Sequence, residues 1–102
     1  MGILFEIKYK VHEEKRGEYL ELVKKLKNFY LQNGIEDYKL FEDDKKPNEF
    51  TEVFIFSDEA SFEKFEDDSN EEVNNLLSVL VSELVVDKKV KYKTKNLVEI
   101  QP

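Results

Sequence analysis

Residues 49–56, Glu-Phe-Thr-Glu-Val-Phe-Ile-Phe, are apolar on both alternating sides. Phe50, Phe54 and Phe56 share one parity with Glu52, while Val53 and Ile55 share the other with Thr51. Successive side chains of an extended chain point to opposite faces, so such a strand needs cover above and below. A single layer of helices on a sheet covers one face only. Fully burying a phenylalanine is worth roughly 1.5–3 kcal/mol, and two or three left on open sheet would make a patch of the size that marks an interface. The expectation is a second copy pressed against the uncovered side, because closed two-fold pairing is the commonest oligomer. A C-terminal tail or loop folded over that side is the alternative.

The rest of the chain supplies a sheet and a layer of helices. Ile3, Phe5, Ile7, Tyr9 and Val11 alternate with Leu4, Glu6, Lys8, Lys10 and His12, which predicts a first strand. From about Glu13 the period changes, and Tyr19, Leu22, Val23, Leu26, Phe29 and Tyr30 fall on one helical stripe. Asn33-Gly34 can close that helix in a left-handed cap, and Gly17 in its early turns costs about 1 kcal/mol against Ala. Ile35 to Glu42 reads as a second strand, the turn chemistry of 43–48 as a connection, and Glu49 to Phe56 as the third strand. Ser57 is placed to cap a short helix burying Ala60, Phe62 and Phe65. Ser69 and Glu72 have the spacing of a capping box for a third helix carrying Val73, Leu76, Leu77, Leu80 and Leu84, widened by Val81 and Val85. Its valines also suit a strand; length and the polar breaks at Ser78, Ser82 and Glu83 favour helix. Val90, Tyr92, Thr94, Val98 and Ile100 oppose Lys91, Lys93 and Lys95 in a fourth strand. The order predicts an α+β, ferredoxin-like βαββααβ domain spanning 1–102, with a four-stranded antiparallel sheet and helices on one face.

Charge narrows the partners. The 102 residues carry a net charge of -7, and residues 36–72 alone hold 15 acids against 4 bases. Such a segment repels phosphate backbones, so nucleic acid is not expected as a partner. No apolar run approaches the roughly 18 residues of a membrane span, and Met1 to Glu6 lacks the basic start and cleavage site of a secretory signal. With no cysteine there is neither disulfide nor thiolate chemistry, and a cytoplasmic protein is the default expectation. The comb Lys88, Lys89, Lys91, Lys93, Lys95 reads either as an anion contact or as edge lysines that discourage aggregation. The acidic run 66–72 lacks the alternating ligands and central Gly of a calcium loop and reads as solvated.

Few residues suggest chemistry. His12, the only histidine, has a side chain suited to a general base or axial ligand; a surface residue at the helix start is the other reading. Glu52 stands alone among apolar neighbours: buried, its pKa should rise, and it could act as acid or base. Its alternative is an ion pair with a neighbouring lysine such as Lys8 or one of the comb. Tyr9, Tyr38 and Tyr92 could line a pocket and hydrogen-bond a polar ligand, or bury their rings with hydroxyls at the rim. Glu52, His12 and Tyr92 are thus the candidate ligand-binding residues; no metal-ligand spacing, phosphate loop or Ser/His/Asp set appears.

Residues 52–65, Glu-Val-Phe-Ile-Phe-Ser-Asp-Glu-Ala-Ser-Phe-Glu-Lys-Phe, together with the element order, resemble the antibiotic biosynthesis monooxygenase type within the dimeric α/β-barrel superfamily. The resemblance implies a homodimeric barrel and a small apolar or aromatic ligand. Members with oxygenase activity typically carry a His where Lys64 and Phe65 stand here, and this chain has no Trp, so no haem or other cofactor is expected. Two functions follow: a ligand-binding or accessory module, or a cofactor-independent monooxygenase acting on an aromatic or quinol substrate with Glu52 or a tyrosine handling protons.

Overall fold

The computed structural model describes residues 2–33, 35–67 and 70–101. Strand β1 (Ile3–Val11) leads through a 3-10 turn (Glu13–Lys15) into helix α1 (Arg16–Gln32). Strands β2 (Asp37–Glu42) and β3 (Glu49–Phe56) follow, then helices α2 (Glu59–Asp67) and α3 (Glu71–Val79), a π turn (Leu80–Leu84) and strand β4 (Val85–Asn96). The strands lie in the order β2-β3-β1-β4, every pair antiparallel. This is the expected ferredoxin-like arrangement, with β1 and β3 central.

Parity decides which side is the core. Phe50, Glu52, Phe54 and Phe56 of β3 are all buried, Phe50 and Phe54 against Tyr19 and Tyr30 of the α1 stripe and Phe56 against Phe62 and Phe65 of α2. The phenylalanines therefore sit under the helices rather than on bare sheet. The uncovered face instead carries the half-buried Leu4, Thr51, Val53 and Ile55, together with Phe41 and the lysines at 8, 10, 39, 91, 93 and 95. It is less apolar than the sequence led one to expect, because the large residues of β3 share a single parity.

Local signals shift several boundaries. Ile35 is buried but precedes β2, which begins at Asp37. Asp58, not Ser57, caps α2 by accepting the Ser61 N–H at 2.8 Å, and Ala60 is exposed while Phe62 and Phe65 pack on the core. Asn70 caps α3 through the Val73 N–H at 3.1 Å; Ser69 lies outside the described residues, as does Gly34. Asn33 closes α1 through its own side chain, which donates to the Phe29 carbonyl at 2.7 Å. The valine signal was partly real: the helical stretch ends at Leu84, and Val85 and Val86 open β4, whereas Val98 and Ile100 lie beyond it.

β4 contains a register shift, with Tyr9 opposite Val90 but Val11 opposite Val85. The intervening residues form a bulge in which Asp87 and Lys88 both take positive φ, 56° and 55°, a conformation costing roughly 1–2 kcal/mol for a residue with a Cβ. The bulge serves packing. Val85 and Val90 are five apart and would point to opposite faces of a regular strand; the extra residues turn both inward, Val85 buried and Val90 packed on the core.

Beside this end of the sheet Arg16 grips Glu42 with two hydrogen bonds of 2.6 and 2.8 Å and reaches the Asn48 side chain at 2.9 Å. Asn48, buried and at φ 66°, gives its N–H to Glu42 and its carbonyl to the Val11 N–H. The hydrogen bonds of Arg16 and of the Asn48 backbone hold the Glu42 pKa at about 2. Among the described residues no helix is long and apolar enough to cross a membrane.

A Cβ added at Gly17 would meet no atom within 4 Å. Gly17→Ala is therefore expected to raise stability by about 0.5–1 kcal/mol, read as a higher denaturation midpoint at unchanged m-value; an unchanged midpoint would contradict it.

Candidate functional site

The interior of the helix-covered face of the sheet holds a carboxyl, that of Glu52. Glu52 lies midway along β3, 1 % exposed, flanked on its own parity by Phe50 and Phe54 and across the strands by Leu40 and Ile7. Four buried tyrosines gather around it: Tyr9 from β1, Tyr38 from β2, and Tyr19 and Tyr30 from α1. The Tyr38 hydroxyl donates to Glu52 Oε1 at 2.5 Å, and the Tyr9 and Tyr19 hydroxyls share a hydrogen bond of 2.7 Å. The rings pack edge-on or tilted, Tyr30 with Tyr38 at 5.2 Å, Tyr38 with Phe54 at 5.0 Å and Tyr19 with Phe50 at 4.6 Å between centroids.

Electrostatics follow from this dry setting. Burial pushes the Glu52 carboxyl above the ordinary carboxylate range, opposed in part by hydrogen bonds from Tyr38 and Tyr9. Burial, reinforced by the Glu52 charge, pushes Tyr9, Tyr30 and Tyr38 far above the usual phenol value. Tyr19 is raised by burial too, though its hydrogen bond to Tyr9 works the other way. All four phenols thus keep their protons near neutrality. The site is a carboxyl whose charged form burial disfavours, with the Tyr38 hydroxyl bonded to it and three further phenols close by.

Glu52 is buried between sheet and helices, as the raised-pKa reading required. Its partner is a tyrosine, not a lysine: Lys8 and the inner lysines of β4 have the opposite parity and point away. His12 stands apart at the end of β1, its Nδ1 3.9 Å from the exposed Glu14 carboxylate. Tyr92 shares the sheet row Leu40–Glu52–Ile7–Tyr92 on the helix side, but it is 64 % exposed on the edge strand and stacks on Phe5 at 6.0 Å. Tyr38 and Tyr9 do line the site.

Tyr19 and Tyr30 read in the sequence only as part of the apolar stripe of α1. Their spacing of eleven residues, close to three helical turns, held the signal, since it puts two hydroxyls on one helix face above the strand that carries Glu52. A cavity of about 50 Å³ is bordered by Tyr30, Phe65 and Lys64, and another of about 480 Å³ lies at the far end of the sheet; Glu52 borders neither of these. Among the described residues no group of three His, Cys, Asp or Glu could hold a metal ion.

Residues 3–70 match the family model for antibiotic biosynthesis monooxygenases. Among solved structures, a conserved protein from Methanosarcina mazei Go1 is 24% identical with a TM-score of 0.80, covering 93% of this chain and 91% of that one. SnoaB, a cofactor-independent oxygenase from Streptomyces nogalater, is 14% identical with a TM-score of 0.78, covering 99% and 97%. Rv0793 from Mycobacterium tuberculosis is 12% identical with a TM-score of 0.78, covering 100% of each. At these identities the likeness shows the shared fold. No curated protein sequence matches the chain.

Because the folded pKa of Glu52 lies above its unfolded value of about 4.3, the native state binds the extra proton between the two. Stability should therefore fall as pH rises through that window, at up to about 1.4 kcal/mol per pH unit. Glu52→Gln keeps the shape and an acceptor for Tyr38 but not the proton. Its stability relative to wild type should climb from pH 5 upward in denaturation titrations; parallel pH profiles would refute the assignment.

Proposed function

This chain belongs to the antibiotic biosynthesis monooxygenase family, and from that premise we propose that it is a cofactor-independent monooxygenase acting on an aromatic or quinol substrate, with Glu52 handling the proton. The observation that carries the reading is the buried carboxyl itself. A carboxyl taken out of water is costly, and an apolar side chain would fill the same place between Phe50 and Phe54 more cheaply. A carboxyl whose pKa burial has raised is a stronger base when ionised and keeps its proton to higher pH than an ordinary carboxyl, which suits proton transfer. The family and the description of SnoaB as a cofactor-independent oxygenase support the same chemistry.

In that reaction the substrate supplies the electrons. Glu52 accepts the phenolic proton, and the electron-rich ring reduces dioxygen and forms a carbon–oxygen bond. The resulting hydroperoxide loses water as a ring carbonyl forms, so one oxygen atom enters the product and the other leaves as water. Tyr38 holds the carboxyl in place and donates to it while it is charged, with the Tyr9–Tyr19 hydroxyl pair beside it. Tyr92, in the sheet row that contains Glu52, and Phe5, in the adjacent row, stack at the margin of the helix layer and offer a flat aromatic surface.

A second reading, a module that binds a small apolar ligand or serves another protein, draws on the observation that Glu52 borders neither cavity. We also propose that two copies pair through the uncovered sheet face, which joins Leu4, Val53 and Ile55 across β1 and β3 and leaves Phe41 53 % exposed.

Oxygen uptake with hydroquinones and anthrone-like phenols tests the enzyme. The expected result is turnover above the enzyme-free rate, falling roughly 100-fold or more in Glu52→Gln. No uptake leaves the binding module, and uptake undiminished in the variant removes Glu52 from the chemistry. Light scattering at micromolar concentration should give about twice the 12.2 kDa chain mass, and a monomer would overturn the pairing.

A further inference from the structure

Phe65 of α2 sits in a cage of rings. Its centroid lies 5.2 Å from Phe56, 5.4 Å from Phe54, 5.9 Å from Tyr30 and 6.3 Å from Phe5, tilted or edge-on to each. All four distances fall in the range of roughly 4.5–7 Å over which aromatic pairs attract. The floor of the cage is one row of the sheet, since Tyr38, Phe54 and Phe5 are direct cross-strand partners on β2, β3 and β1. That row is the neighbour of the row holding Glu52, two residues or about 7 Å away along β3. Tyr38 joins the two rows, its ring 5.0 Å from Phe54 and its hydroxyl on the Glu52 carboxyl.

The ring that fills the cage comes from a lightly anchored helix. α1 contributes five buried residues and α2 none; Phe62 and Phe65 pack on the core while only partly buried. Few buried contacts mark the segments that open most readily. Beside the cage lies the cavity of about 50 Å³ bordered by Phe29, Tyr30 and Phe65. It is far smaller than the roughly 300 Å³ or more of a ligand pocket, so an aromatic guest fits next to Glu52 only if a side chain gives way. Phe65 is the side chain whose contacts such a guest can replace ring for ring.

We infer that Phe65 holds the place of a ligand's ring, and that a flat, neutral phenol of one or two fused rings displaces it, resting on Phe54 against Tyr30 and Phe5. Removing one phenyl ring beside a cavity of this size makes room for that many rings. The apolar lining disfavours a charged guest, and a hydroxyl on the guest can lie along Phe54 toward Tyr38 and Glu52. That the ring belongs to a substrate rests on the oxygenase reading of Glu52; that the cage accepts a ring does not.

The test is calorimetric titration with 2-naphthol and with decahydro-2-naphthol, a control of like size without flat rings. 2-Naphthol should bind roughly tenfold or more tightly than the control. Phe65→Ala leaves the cage empty and should bind 2-naphthol about tenfold or more tightly than wild type, with a larger rise in melting temperature at saturation. Phe62→Ala, which removes a ring paired with Phe5 and Phe56, should bind as wild type does. Nuclear Overhauser contacts in the wild-type protein read the displacement without relying on a variant: at saturating 2-naphthol, contacts between Phe65 and Phe54 should give way to contacts between the ligand and Phe54. The inference is overturned if 2-naphthol binds no better than the control, if Phe65 keeps its contacts to Phe54 in the complex, or if a folded Phe65→Ala variant binds no more tightly than wild type. Displacement without oxygen uptake from hydroquinones upholds the cage and removes the oxygenase reading; oxygen uptake without displacement does the reverse.

Discussion

The alternation of β3 governs the architecture. Phe50, Glu52, Phe54 and Phe56 share one parity, so the same backbone geometry that sends three phenylalanines beneath the helices sends a carboxyl with them. The register to β1 and β2 then brings Tyr9 and Tyr38 to the same side, and the stripe of α1 adds Tyr19 and Tyr30 from above. Moving β3 by one residue would expose the core and the acid together. Sheet, helix layer and candidate site are therefore one arrangement.

Within it, the polar residues are partnered rather than merely tolerated. Tyrosine suits the surroundings of Glu52 because its ring buries like phenylalanine while its hydroxyl supplies a hydrogen bond. Tyr38 meets the carboxyl, and Tyr9 and Tyr19 meet each other. Among the described residues no buried side-chain nitrogen or oxygen lacks a partner. A lysine in the same role would bring a second charge needing desolvation; the phenols stabilise the ionised form without one.

Much of this could be read from the residues, because period-two and 3.6-residue patterns report directly on burial. β1 from Ile3 to Val11, β3 from Glu49 to Phe56, the stripe of α1 and the burial of Glu52 all follow from spacing. What escaped depends on information that spacing lacks. Which parity of β3 meets the helices is set by the whole sheet, so Glu52 was open to pairing with Lys8 until the register excluded it. Helix caps can shift by a residue, from Ser57 to Asp58, because several neighbouring side chains are competent caps. The passage from α3 to β4 has no loop to announce it: the Val85 N–H still bonds the Leu80 carbonyl as the strand begins. Tyr92 carried the right parity, but its exposure depends on how far the helices reach across the sheet.

The bulge in β4 acts as a phase correction. It inserts an odd number of residues opposite β1, so that the valines on either side of it, Val85 and Val90, both reach the interior. Homologous chains should therefore vary the length of this segment in steps of two. A single deletion would work like a frameshift in the sheet, carrying Lys91, Lys93 and Lys95 inward beneath the helices and sending Tyr92 and Thr94 out to the other side.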